Sequence, residues 1–437
     1  MKVKKLPGDD RSCGWVRTLP ERPAPRRLEG DVQVDWAIIG AGFTGVAAAH
    51  RLAELLPEAR VGLLDAQRAG ESASGRNSGF AVDLSTSRAG SAAEEGQTVL
   101  RKRRLNLAGI AMLKEAVEAH GIDCQWSEVG KYHCAADGAN FGELDTIAAV
   151  CRRLELPFDD LDRAALAKRL GTDYYLRGVH TPQAVMVQPA ALARGLALSL
   201  PESVALYEES PVLAIDHGKT IRLDCGAGTL RAGNLIYAAN GFLPSLGVLA
   251  RRLMPLILSA SLTRPLTRGE REAIGDPQDW GVLSAHDMGA TVRYTRDHRI
   301  MMRNTAEFRP RLSMKADELA ARRVIHDRAI RARFPMLPDL SIEHTWSGVV
   351  CKTRNMMPFF GRLGANVYAS GGYNGSGVAR GTIAGALLVD LALGRDSALL
   401  RDITAFDMPS WIPPRPLLDL GVHWRMARLR RGLGREG

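Results

Sequence analysis

From Val32 onward the apolar positions fall into segments of readable period. Val34-Asp35-Trp36-Ala37-Ile38-Ile39 is a short, almost unbroken apolar run, the pattern of a strand buried on both faces of a parallel sheet. It ends in Gly40-Ala41-Gly42-Phe43-Thr44-Gly45, and small residues from Val46 to Leu56 predict a helix that Pro57 stops. Arg60 to Asp65 then reads as a second strand, which completes a βαβ unit. Apolar spacing predicts an amphipathic helix over 97–120 and another over 189–200, the latter opening on a proline. Residues 204–208, 212–216, 221–223 and 234–239 read as strands. Between about 253 and 305 the alternation has period two, and Thr291–Thr295, a turn at 296–298, and Arg299–Arg303 predict an antiparallel hairpin. A helix is expected over 313–334, a strand over 366–370, and a last helix over 378–393 after a glycine-rich turn.

Nucleotide-type units at both ends with an antiparallel block between them imply one discontinuous domain and one inserted domain. The expected division is a flexible basic arm at 1–30; a nucleotide-binding domain from 31–100, 181–250 and 345–400; a substrate domain with antiparallel sheet and helices from 101–180 and 251–344; and a basic tail at 401–437. The chain of 437 residues carries a formal charge of +10, but residues 1–30 hold +4 and residues 415–437 another +4. The intervening body is near neutral, which argues against a nucleic-acid-binding surface on it. Six scattered cysteines, without a CxxC pair or a Cys/His cluster, fit a reduced cytoplasmic protein with no metal site. The tail from Trp411 mixes Leu420, Val422, Trp424 and Met426 with arginines, a pattern that suits a membrane or partner contact, but a surface-packed or disordered tail is expected.

Context gives the glycine loop its chemistry. The glycines allow a tight turn, close backbone approach to a pyrophosphate and close helix–strand packing, while the helix N-terminus offers free N–H groups to phosphate. Asp65, at the end of the next strand with Ala66 beside it, is placed to accept a hydrogen bond from a ribose. This fingerprint alone does not separate NAD from FAD. The loop that follows, Ser74-Gly75-Arg76-Asn77-Ser78-Gly79, is small and hydroxyl-rich and suits a flavin diphosphate and ribityl chain, with Arg76 as a candidate phosphate clamp.

Four blocks, VDWAIIGAGFTGVAAAHRLAE, GLLDAQRAGESASGRNSGF, NLIYAANGF, and TWSGVVCKTRNMMPFFG with NVYASGGYNGSGVARGTIAGALLVDLALG, carry a resemblance. They resemble the D-amino-acid oxidase superfamily of FAD-dependent oxidoreductases, the group of glycine and sarcosine oxidases, and within it the γ-glutamylputrescine oxidase-like branch. The resemblance implies an α/β fold of glutathione-reductase/D-amino-acid-oxidase type: a Rossmann-like FAD-binding domain with an α+β inserted domain built on an antiparallel sheet. It places FAD against Gly40, Gly42, Phe43, Thr44, Gly45, Asp65 and Ala66, along Ser74 to Gly79, and beside Val212, Ala239, Asn240 and Gly241. Gly348, Gly372, Tyr373, Asn374, Gly375, Ser376 and Gly377 would face the flavin end. Where the sarcosine oxidase branch bonds its flavin to a cysteine this chain has Gly348, with Cys351 too late in the chain, so FAD is expected to be non-covalent.

The implied activity is oxidation of an amine or amino acid, with electrons leaving to O₂ or another acceptor. The family's carboxylate-binding lysine falls on Ala379, and Asp of a Thr-x-Asp stretch on Asn355. Arg303 is therefore the leading candidate to bind a substrate acid, ahead of Arg293 and Tyr294. Tyr373 and Trp346 are candidate pocket walls and His286 a candidate base. Alternative readings are an RNA-modifying enzyme, a non-catalytic FAD scaffold, and an NAD-dependent dehydrogenase.

Overall fold

The computed structural model describes residues 1–8, 11–84, 96–309 and 311–437. The apolar run after Val32 forms the strand Gly30–Ile39, central in a sheet ordered Phe359–Gly364, Val367–Gly371, Gly228–Tyr237, Gly30–Ile39, Val61–Leu64, Val204–Tyr207. Pairing is parallel from Val367–Gly371 to Val204–Tyr207, with Ile39 level with both Tyr237 and Leu64. These strand ends are nearly all apolar because helices cover one face and a second cluster the other: Ile38 packs with Leu63 and Ile236, Ala37 with Leu230 and Leu235.

The helix after the glycine loop, Phe43–Leu55, lies against the C-terminal glycine-turn helix Gly377–Ala392. Gly385 permits that contact, since a Cβ there would stand 2.1 Å from the Thr44 carbonyl oxygen. The long helix Gly96–His120 packs on Gly377–Ala392 in turn, so it belongs with the parallel sheet and not, as expected from its place in the chain, with the inserted block.

The period-two region builds a second sheet, ordered Ile342–Lys352, Met254–Thr263, Ile300–Glu307, Thr291–Tyr294, Trp280–Ser284, Lys131–Ala135, Arg177–Thr181, Asp159–Asp162. The hairpin forms with Thr291 opposite Arg303. A domain boundary at 345 does not stand, because it falls inside one strand, Ile342–Lys352, which pairs along its length with Met254–Thr263. The two sheets are tied by a buried ion pair, Lys131 Nζ to Asp83 Oδ1 at 2.8 Å, with Asn106 Nδ2 donating to the Asp83 carbonyl.

The N-terminal segment corrects the expectation of a flexible arm, and the C-terminal one packs on the surface of the body. Residues 14–17 form a helical turn, Trp15 is buried, and its indole N–H donates to the Asn77 carbonyl at 2.9 Å. One aromatic with a backbone partner suffices to dock a segment that has no period of its own. The C-terminal stretch forms helices Ala398–Thr404 and Leu417–Arg431, and ends on Glu436, which is 1% exposed. No helix among the described residues is long and apolar enough to cross a membrane.

Candidate functional site

A cavity of about 760 Å³ lies between the two sheets, walled by the ends of the parallel strands on one side and by Leu258, Ala260, Arg303 and Val350 on the other. At its nucleotide end the strand Gly30–Ile39 stops at Gly40, whose N–H donates to the Leu64 carbonyl at 2.7 Å. Gly42 caps the next helix without a side-chain hydrogen bond, leaving the first N–H groups of that helix unclaimed by any cap. Gly45 does not line the cavity. A Cβ there would stand 1.8 Å from the Gly40 oxygen, so it sets how closely helix and turn approach.

Asp65 faces the cavity, accepting from Ala41 N–H at 2.7 Å and Gln67 N–H at 2.9 Å. Burial pushes its carboxyl up to about 6, against the lowering effect of those backbone donors. A second helix N-terminus reaches the same cavity: Gly377 and Val378 line it, and Ser376 gives no side-chain cap. Two uncapped helix ends and a carboxylate beside one of them form a cradle whose chemistry suits a dinucleotide.

Of the residues expected to touch FAD, Phe43, Thr44, Ala66, Ser74, Asn77, Ser78, Val212, Ala239, Asn240, Gly241, Gly348 and Gly375 line the cavity along with those named above. Gly75, Gly79, Gly372, Asn374 and Ser376 stand behind it as framework. Asn374, for example, accepts from Thr353 N–H at 2.8 Å and donates to the Gly372 carbonyl. Arg76 lines the cavity but is a strut as well, since Nε donates to the Glu71 carbonyl and Nη1 to the Ser347 carbonyl.

At the far end Arg303 opens on the cavity, donates to Thr291 Oγ1, and has no carboxylate partner among the described residues. Burial pulls its guanidinium down to about 10. Arg293, one strand over, is spent differently: Nη1 donates to the carbonyls of Ser78 at 2.8 Å and Val187 at 2.7 Å, bracing the flavin-side loop from behind. Tyr294 points into the core, where its hydroxyl meets His298 Nδ1 at 2.9 Å. Tyr373 lines the cavity with its ring, while its hydroxyl is engaged by Thr44 Oγ1 at 2.8 Å and burial pushes it up to about 12. Trp346 is a wall, its indole N–H held by the Arg76 carbonyl.

His286 is not in the site. It is buried beside the cavity, with Nδ1 accepting from Met288 N–H inside a tight turn, while its neighbours Asp287 and Met288 line the space instead. Ala379 and Arg380 face away as well. Ala379 abuts Gly109 of the long helix, and Arg380 Nε donates to Asn106 Oδ1 at 3.1 Å.

Two groups of lining residues had no expectation attached. Lys352 donates to the Asn374 carbonyl at 2.9 Å, and burial lowers its ammonium, helped by Arg303 and opposed by Asp287. A lysine directly after the short apolar run Val349-Val350-Cys351 was the only signal available. The second group is Leu418, Val422, Arg425, Met426 and Leu429, by which the C-terminal helix roofs the cavity. Asn355 helps seat that segment, donating to the Met408 carbonyl and accepting from Ser410 N–H.

A glycine-loop helix, a ribose-side carboxylate and a large cavity closed by an antiparallel sheet define a flavin-binding oxidoreductase, and the chain belongs to the DAO family of FAD dependent oxidoreductases, whose profile matches residues 35–391. It is 30% identical to the probable oxidoreductase OrdL of Rhizobium meliloti (strain 1021) over 433 residues, spanning 95% of this chain and 97% of that one. Identity to the gamma-glutamylputrescine oxidoreductase of Escherichia coli (strain K12) is 27% over 400 residues, or 89% of each chain. Glycine oxidase from Geobacillus kaustophilus shares the fold, with a TM-score of 0.71 at 19% identity over 88% of this chain and 99% of that structure.

Proposed function

We propose that the protein oxidises a C–N bond of an amine or amino acid that carries an acidic group, using non-covalent FAD and passing the electrons to O₂ as H₂O₂. The observation that carries this is Arg303: a cation turned into the cavity, next to Lys352, with no carboxylate partner among the described residues. Arg303 would hold the substrate's acid, doing the work for which Ala379 has no cationic group. FAD held here would supply the two-electron acceptor for a hydride leaving the carbon next to nitrogen. The residues of this chain supply the rest. Leu258, Met288 and Val350 form a dry wall that favours the neutral amine, whose release of a proton at pH 7 otherwise costs about 4–5 kcal/mol from a reference pKa of ~10.4. The resulting imine is hydrolysed by water. The thiol of Cys351 is buried and pushed up to about 12, a poor nucleophile toward a flavin.

The test is an anaerobic panel of amines, N-alkyl amino acids and amino acids, scored by bleaching of the flavin band. Acid-bearing amines are expected to bleach it, and Arg303→Leu should cut kcat/KM for them roughly 10–100-fold, the worth of a hydrogen bond to a charged group. If no amine of any kind reduces the flavin, the reading is wrong.

A further inference from the structure

The C-terminal helix Leu417–Arg431 is apolar on two opposite faces, which a helix covered on one side only has no reason to be. Leu418, Val422, Met426 and Leu429 lie on the inner face and line the cavity. At 100° per residue, Leu420, Trp424, Arg428 and Arg431 share the outer face within one arc, and none of them lines the cavity. Leu420 and Trp424 are each 67% exposed, large apolar side chains left to water beside one another. The same face continues as cationic toward its C-terminal end, where Arg428 lies 5.9 Å from the Trp424 ring. The two acids of this segment do not offset the charge there: Asp419 is paired with Arg415 at 2.7 Å, and Glu436 is buried.

We propose that this outer face docks on an anionic lipid bilayer, lying in the plane of the headgroups with Leu420 and Trp424 inserted and Arg428 and Arg431 on lipid phosphates. Charge complementarity selects this occupant. An apolar stripe ending in arginines with no carboxylate partner among the described residues fits a surface that is flat, negative and greasy beneath, and tryptophan is at home at that depth. The helix is seated from both ends, by Ile412 N–H on the Arg251 carbonyl and by Glu436, so it presents this face without needing to unfold. Docking would bring the roof of the cavity against the membrane.

The experiment is co-sedimentation of the flavin-loaded full chain with vesicles of phosphatidylcholine alone and of phosphatidylcholine mixed with phosphatidylglycerol. Binding is expected to the mixed vesicles only and to weaken as salt is raised. Arg428→Gln and Arg431→Gln should each weaken it roughly fivefold. Trp424→Ser and Leu420→Ser should weaken it further while leaving flavin content and turnover in solution unchanged. The proposal is overturned if the wild-type chain ignores anionic vesicles at low salt, or binds both vesicle types alike. It is equally overturned if Trp424→Ser, still flavin-loaded, binds as the parent does. A wild-type dimer in ultracentrifugation that Trp424→Ser converts to monomer would also overturn it, by assigning the face to a second copy. Because the readout is sedimentation, this outcome is independent of which substrate the enzyme turns over.

Discussion

Arg293 and Arg303 sit on neighbouring strands and divide two tasks that sequence alone could not separate. Strand alternation identifies both as candidates, but their meaning depends on what waits at the tip of each side chain. Backbone carbonyls of the flavin-side loop take Arg293, and open cavity receives Arg303. The glycine loop is different, because there the requirement is steric and local, and so it can be read from the sequence. Gly45→Ala is expected to abolish flavin loading, since its methyl group would occupy the space of the Gly40 oxygen at 1.8 Å. The purified variant, if folded, should be colourless where the parent is yellow. His286 shows the opposite case. A histidine next to a predicted hairpin looked available, but the turn uses its Nδ1 to hold Met288, and no sequence pattern signals that bond.

Among the elements, the helix Ala316–Arg333 carries one acid-sensitive group whose contribution can be isolated. Its His326 is fully buried against the second sheet, with Nδ1 2.7 Å from Ser261 Oγ, and burial with the nearby charges of Arg322 and Arg303 lowers it to about 3. The unfolded chain binds a proton there below about pH 6.5 and the native one does not until about pH 3. Stability from this group is therefore complete above pH 6.5 and is lost as pH falls through the interval. From pH 7 to pH 5 the loss is about 2 kcal/mol. His326→Gln should show a pH 7-to-5 drop in urea-unfolding free energy smaller by about that amount. Elements with a clear pattern, such as the hairpin and the nucleotide βαβ unit, were legible. The strands Lys131–Ala135 and Arg177–Thr181 were not, because they are short and become buried only through pairing with distant partners.

For the molecule as a whole, the charge excess that first suggests nucleic acid turns out to mark the chain's ends, and both ends are structural. The arm buries Trp15 under the flavin-side loop, and the tail closes the site. Neither role has a periodic signature, since each depends on partners far along the chain, 62 positions away for Trp15 and Asn77 and 300 for Glu436 and Ala136. The tail's anchor is Glu436, whose carboxylate accepts from Ala136 N–H at 2.8 Å, Asn140 Nδ2 at 3.1 Å and Ser284 Oγ at 2.7 Å. Glu436→Ala strands several buried donors and is expected to cost about 3 kcal/mol. It should also free the roof, so that apoprotein takes up FAD faster than wild type in a stopped-flow reconstitution. Equal uptake rates would show that the roof does not limit entry.

That roof also has a place in time. A ribosome adds roughly 5–20 residues per second, and the helix Gly377–Ala392, the last to touch the flavin end, is made before Leu417–Arg431. For an interval on the order of seconds, the growing chain has walls and floor but no ceiling. If the roof limits entry, as the Glu436→Ala comparison tests, FAD present during this interval meets an open site, and flavin supply during translation should raise the loaded fraction more than the same supply given afterwards.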